Sequence, residues 1–138
     1  MKRKDFLRMT SAGVICGGFI SVLQGCATYN FVDSELVEGK LMVSKSVFAE
    51  DEFVLLRNPR YKAPVFLMKN EEQSFSALLM ECTHKQCTVK PAGQTLECPC
   101  HGSRFNFEGD VLEGPAKHPL FTYNVTHDET HVYVHLQS

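Results

Sequence analysis

The chain has 138 residues, 43% hydrophobic and 22% charged, with a formal charge of −2. That is enough apolar material for one folded domain, too little for several, and not the composition of a disordered chain. A near-neutral balance with no basic stripe excludes a nucleic-acid binder that works by phosphate neutralisation.

The N-terminus carries Lys2, Arg3, Lys4 and Arg8 around a single acid, Asp5, ahead of an apolar run over residues 12–23. A run of about 12 residues is short for a membrane span, which needs about 20, and suits the apolar stretch of an export signal. It closes on Leu23-Gln24-Gly25-Cys26, which resembles a bacterial lipobox: apolar three before the cysteine, small just before it. The pattern predicts a signal peptide over residues 1–25, with Cys26 lipidated as the first mature residue. Arg3-Lys4-Asp5-Phe6-Leu7-Arg8 is also similar to a twin-arginine signal, with lysine in place of the second arginine. An uncleaved anchor helix is the alternative, and Cys16 reads as an apolar residue of the run. Either way the chain is placed on the periplasmic side of a bacterial envelope and tied to the membrane. Without the signal's four basic and one acidic residues, the formal charge is about −5. Such a balance suits a basic partner or an ordinary solvated surface.

Residues 26–34 read as a linker, turning to strand near Leu36. Short apolar runs at 41–43, 52–56, 64–69 and 75–80 are separated by polar turns, and Asn58-Pro59 and Pro64 mark a loop between the second and third. Residues 95–97 and 111–112 are shorter strands, the latter preceded by a turn at Gly109. Residues 121–126 and 131–136 predict a final hairpin around His127-Asp128-Glu129-Thr130. His127, His131 and His135 recur every four residues, as for a metal-binding helix face. The alternation of Val132, Val134 and Leu136 instead says strand, with His131, Tyr133 and His135 on the solvent side. After the signal no segment keeps a helical period. The class is all-β, a small sandwich or open barrel.

Four of the six cysteines fall in two short stretches, Cys82-Thr83-His84-Lys85-Gln86-Cys87 and Cys98-Pro99-Cys100-His101-Gly102-Ser103. Each offers a Cys–His pair at tight spacing, so two thiolates and two imidazoles can form one four-ligand metal site. Structural zinc takes such a set, usually pairing like with like, as Cys-x-x-Cys followed by two histidines about three to five residues apart. A [2Fe–2S] centre with two cysteines on one iron and two histidines on the other takes it too. Here each arm supplies one of each, with thirteen residues between His84 and Cys98.

At these residues the chain resembles the Rieske iron–sulfur family, whose pattern is C-T-H-x-x-C followed by C-P-C-H-G-S. The resemblance covers roughly residues 35–138 and implies an all-β Rieske fold: a sandwich base of antiparallel β-sheet with an inserted cluster-binding subdomain over about 81–117. It implies one [2Fe–2S] cluster held by Cys82, His84, Cys98 and His101, and a disulfide between Cys87 and Cys100 tying the two loops. It implies that Ser103 donates a hydrogen bond to cluster sulfur, and that Gly114-Pro115-Ala116 begins a proline loop over the cluster, with His118 on its surface. Cytoplasmic Rieske ferredoxins and ring-hydroxylating oxygenases generally lack the cysteine pair, so the resemblance points to the respiratory branch and an oxidising compartment.

The implied role is one-electron transfer rather than catalysis by the chain alone. Either the chain serves as the iron–sulfur subunit of a cytochrome bc-like quinol oxidoreductase, with a membrane cytochrome b, quinol and a c-type cytochrome as partners, or it is a small subunit or shuttle of another periplasmic oxidoreductase, as in the arsenite-oxidase type. Four departures bear on the choice. Phe105 stands where the bc-type pattern has a tyrosine that donates to a ligand sulfur, which predicts a lower potential. Lys85-Gln86 stands where Leu-Gly is common and the leucine lines the quinol site. The gap between the boxes is shorter than in mitochondrial members, and Lys117 replaces a second proline of the loop.

Overall fold

A computed structural model describes residues 30–137. The expected signal, Cys16, the lipobox with Cys26 and residues 26–29 of the expected linker lie outside the described residues. Among the described residues no helix is long and apolar enough to cross a membrane.

Among the described residues twelve strands form two sheets: β1 Phe31–Val32, β2 Glu35–Val37, β3 Lys40–Ser44, β4 Phe53–Leu56, β5 Val65–Lys69, β6 Phe75–Leu79, β7 Lys90–Ala92, β8 Thr95–Glu97, β9 Arg104–Phe105, β10 Val111–Glu113, β11 Thr122–His127 and β12 His131–His135. Eight pair in the order β1-β4-β5-β6-β11-β12-β3-β2, and the other four in the order β10-β9-β8-β7. The sandwich expected of the base is one sheet curled over itself, and β11 is the corner. Its first residues, Thr122 and Tyr123, pair with β6, and Asn124 to His127 pair with β12. A strand that changes neighbours part-way along bends the sheet so that its halves face each other. Phe31–Val32, inside the stretch expected to be linker, already pairs parallel with β4.

The continuous apolar runs explain the second sheet's position. Strand side chains alternate between faces, so a run with no polar alternation must be covered on both. Val54, Leu56, Val65, Leu67, Ala77 and Leu79 enter the core between the sheet halves, with Leu41, Val43, Val132 and Val134 opposite. Their neighbours Leu55, Phe66 and Leu78 face the other way and form a second core with Met80, Val89, Leu96, Phe105, Ala116 and Leu120. That second core joins the small sheet to the base. The connection between β6 and β11 carries all of the small sheet and returns where it left: Leu79 N donates to Phe121 O at 2.8 Å.

One glycine is critical to this junction. Gly109 has φ +92°, and a Cβ there would lie 2.9 Å from Leu78 Cδ2 and 3.4 Å from Leu120 Cβ. Gly109→Ala is therefore expected to cost about 2 kcal/mol through backbone strain and overpacking together. The measurement is the urea midpoint; an unchanged midpoint would show that the junction is loosely packed.

The final hairpin follows the expected pattern: Val132 and Val134 are fully buried, whereas His131 and His135 are not. Its turn is held by Asp128, which accepts from Tyr133 Oη at 2.7 Å and from the backbone N–H groups of His131 and Thr130. These donors, Tyr133 first, hold the Asp128 carboxyl well below the usual carboxylate range.

Candidate metal centre

The two cysteine–histidine stretches fold as two copies of one turn. The first joins β6 to β7, with Glu81 bridged to Thr88 at its base. The carbonyl of Cys82 accepts from Gln86 N at 2.8 Å, and Gln86 takes φ +62° to close the turn. The second joins β8 to β9. There the carbonyl of Cys98 accepts from Gly102 N at 3.0 Å, and Gly102 takes φ +79°. Each turn thus starts on a cysteine and closes four residues later on a left-handed residue. The second turn uses glycine, which reaches that conformation without strain.

The shared construction buries the leading cysteines and exposes the histidines. Cys82 and Cys98 are 1% and 2% exposed and not disulfide-bonded. His84 and His101 are exposed, their ring centroids 4.9 Å apart and the rings nearly perpendicular at 88°. The remaining pair, Cys87 and Cys100, forms the expected disulfide, with Cα atoms 6.4 Å apart. A link at sequence separation 13 is worth about 3 kcal/mol in the chain-entropy account. Cys98 Sγ lies within 4.8 Å of both disulfide sulfurs. Because those two are bonded to each other, the trio is a clamp packed on a thiol rather than a set of metal ligands.

Burial pushes the Cys98 thiol up. The amide N–H groups of Cys100 and His101 oppose this by favouring the thiolate, and the neighbouring Cys82 side chain adds to the rise. Two close, buried thiols, with amides already turned towards the Cys98 sulfur, suit a group that carries positive iron. The exposed imidazoles complete a mixed sulfur–nitrogen donor set.

A third segment closes the site. Gly114-Pro115 is cis, and Ala116 N donates to Ser103 Oγ at 3.0 Å, fully buried. Thr83 Oγ1 donates to the carbonyl of His118 at 2.7 Å. Both turns are therefore tied to the loop at residues 114–118. Thr83 was not singled out from sequence; its hydroxyl one residue before a candidate ligand was the available signal. Phe105 is completely buried in the second core beneath the turns. Lys85 and His118 are exposed. His127, His131 and His135 lie on the base, each with a nearby hydrogen-bonding side chain: Lys45, Thr130 and Thr126 respectively.

The Rieske [2Fe-2S] domain family matches residues 31–124. The chain is 33% identical over 75 residues to the cytochrome b6-f complex iron-sulfur subunit 2 of Trichormus variabilis, a match covering 51% of this chain and 42% of that one. It therefore spans about two fifths of that relative's length. The crystal structure of the cyanobacterial plasma membrane Rieske protein from Synechocystis PCC 6803 superposes with a TM-score of 0.57 at 29% identity, covering 66% of this chain and 93% of that one. A chain from the complex of reduced oxygenase and oxidised ferredoxin in carbazole 1,9a-dioxygenase gives a TM-score of 0.54 at 26% identity, covering 72% and 95%. With twin turns, a mixed donor set, the disulfide and a family match over most of its length, the chain belongs to the Rieske [2Fe-2S] domain family and is an iron–sulfur electron-transfer protein.

Proposed function

We propose that Cys82 and Cys98 hold one iron and His84 and His101 the other, and that the chain passes single electrons as the iron–sulfur subunit of a membrane-associated, cytochrome bc-like quinol oxidoreductase. The observation that carries this is the pair of equivalent turns, which sets two exposed imidazoles side by side above two buried thiols. The disulfide favours a respiratory-type subunit in an oxidising compartment over a cytoplasmic ferredoxin. Likeness to a cytochrome b6-f complex subunit supports a cytochrome partner; a membrane cytochrome b and a c-type acceptor are the proposed ones. Lipidated Cys26 is the proposed membrane tie, on the periplasmic side.

A bound Rieske cluster supplies one-electron chemistry at about −150 to +300 mV. The protein's part is positioning and charge. His84 and His101, both exposed, would each hold the cluster through one ring nitrogen and leave the other for a donor, where an electron could move together with a proton. The amides of Cys100 and His101 are turned to sulfur and favour its negative charge, as would the Ser103 hydroxyl proton. The second core keeps water from the thiolate side. Low-temperature EPR and an absorption spectrum of the purified protein test the assignment; a colourless, EPR-silent protein would sink it.

Phe105 offers a finer test. Phe105→Tyr is expected to raise the potential, because a phenol donor stabilises the more negative reduced state. A donor gaining about 1.4 kcal/mol more from the reduced state gives about 59 mV for a one-electron couple. A redox titration checks this, and a fall in potential would contradict it. The exposed Lys85 beside His84 favours a second reading, a small subunit or shuttle for another periplasmic oxidoreductase, because a lysine there suits a protein surface better than an apolar quinol. Whether the neighbouring gene encodes a cytochrome b or a molybdenum enzyme separates the two.

A further inference from the structure

The charge around the imidazoles runs against that of the molecule. The chain carries 16 acidic residues against 14 basic. The three segments that build the tip, residues 82–88, 98–103 and 114–119, contain no Asp or Glu at all. They contain two lysines, Lys85 and Lys117, both exposed. Lys85 follows His84, and Lys117 precedes His118, whose carbonyl is held by Thr83 on the other side of His84. The hydrogen bond thus brings the backbone next to Lys117 against the residue before His84, and Lys85 is the residue after it. Among the described residues neither lysine has a carboxylate partner. The nearest acids in sequence are Glu81, Glu97 and Glu113. Arg104 engages the last two, at 3.2 Å and 3.7 Å, and Glu81 sits at the base of the first turn, bridged to Thr88.

We propose that this tip is a docking surface for a redox protein with an acidic face, guided by Lys85 and Lys117 and exchanging one electron through the exposed imidazoles. The proposal rests on the electron-transfer reading above. It reverses the expectation drawn from net charge, under which an acidic chain attracts a basic partner. Local charge wins because a partner's electron must cross at the imidazoles, where screened attraction falls off over about 8 Å at physiological salt.

The test uses the full-length, cluster-loaded protein, reduced by one electron and mixed with excess ferricyanide, which takes that electron to become ferrocyanide. From about 0.1 M ionic strength, where the Debye length is about 10 Å and distant acidic residues are screened, the rate is expected to fall as further salt is added. Lys85→Gln/Lys117→Gln is expected to slow the low-salt rate by about tenfold and flatten the salt dependence. Lys45→Gln/Lys69→Gln, with the same charge loss on the base, should keep most of the wild-type rate. Tris(phenanthroline)cobalt(III), a cationic oxidant, should show the opposite salt trend. Of two c-type cytochromes of similar potential, the acidic one should be reduced faster. A wild-type ferricyanide rate that rises with salt, equal effects of the two double variants, or preference for the basic cytochrome would each overturn the proposal. A preparation with no Rieske EPR signal before mixing would instead overturn the redox reading beneath it.

Discussion

His101→Ala is expected to abolish the Rieske EPR signal. The ring of His101 lies 4.9 Å from that of His84, and alanine offers no donor atom in its place. The turn should survive, since its closing bond runs from Gly102 N to the Cys98 carbonyl and the disulfide stays in reach at Cys100. The loss should therefore be specific: no signal, no visible colour, and far-ultraviolet circular dichroism close to the parent. Cys87→Ser makes the contrast. Without the clamp the ligands remain, so a cluster should assemble with a normal signal but leave faster on heating or chelation. A normal signal from the His101 variant would refute the ligand assignment, whereas a lasting cluster in the Cys87 variant would show only that the clamp is dispensable.

Phe66→Ala should have the largest effect on stability. Phe66 is fully buried on the face of β5 that meets the small sheet. Its ring packs against Phe53 at 4.6 Å and Phe107 at 5.2 Å, centroid to centroid. Removing such a ring typically costs about 3–5 kcal/mol, from lost burial and the cavity left behind. Small domains are stable by only about 5–15 kcal/mol, so this is a large share. A fall in the urea midpoint with an unchanged slope is the expected result. The cluster should also be released at a lower temperature, since the same face supports both turns. A change below about 1 kcal/mol would mean that the two sheets are barely joined there.

The cysteine–histidine boxes were legible because their chemistry is local in sequence: ligand types and spacings sit within six residues of each other. The long apolar runs were legible too, and β4, β5 and β6 fall within a residue of the expected bounds. The missed strands carry weak or contrary local signals. β7 contains Pro91, which argues against a strand from sequence alone, and β9 is two residues at the tail of a metal box. Both exist because the second core needs a cover, a demand made by residues elsewhere. The corner at β11 was equally hidden: nothing in residues 122–127 announces that the strand changes neighbours midway. The link from Thr83 to His118 spans 35 residues, beyond any local pattern.

The small sheet leaves and re-enters the base through adjacent residues, Leu79 and Phe121. A segment whose ends meet in this way is a cassette: its removal, with a tight turn in its place, would leave β6 and β11 a plain hairpin and the curled sheet topologically whole. What binds cassette to chassis is grease. Leu55, Phe66 and Leu78 would be stripped bare by the excision and would drive the remainder to stick to itself. A designer wishing to keep the chassis alone would have to make those three positions polar. Conversely, another all-β host could accept the redox cassette wherever two antiparallel neighbours present an apolar outer face of similar width.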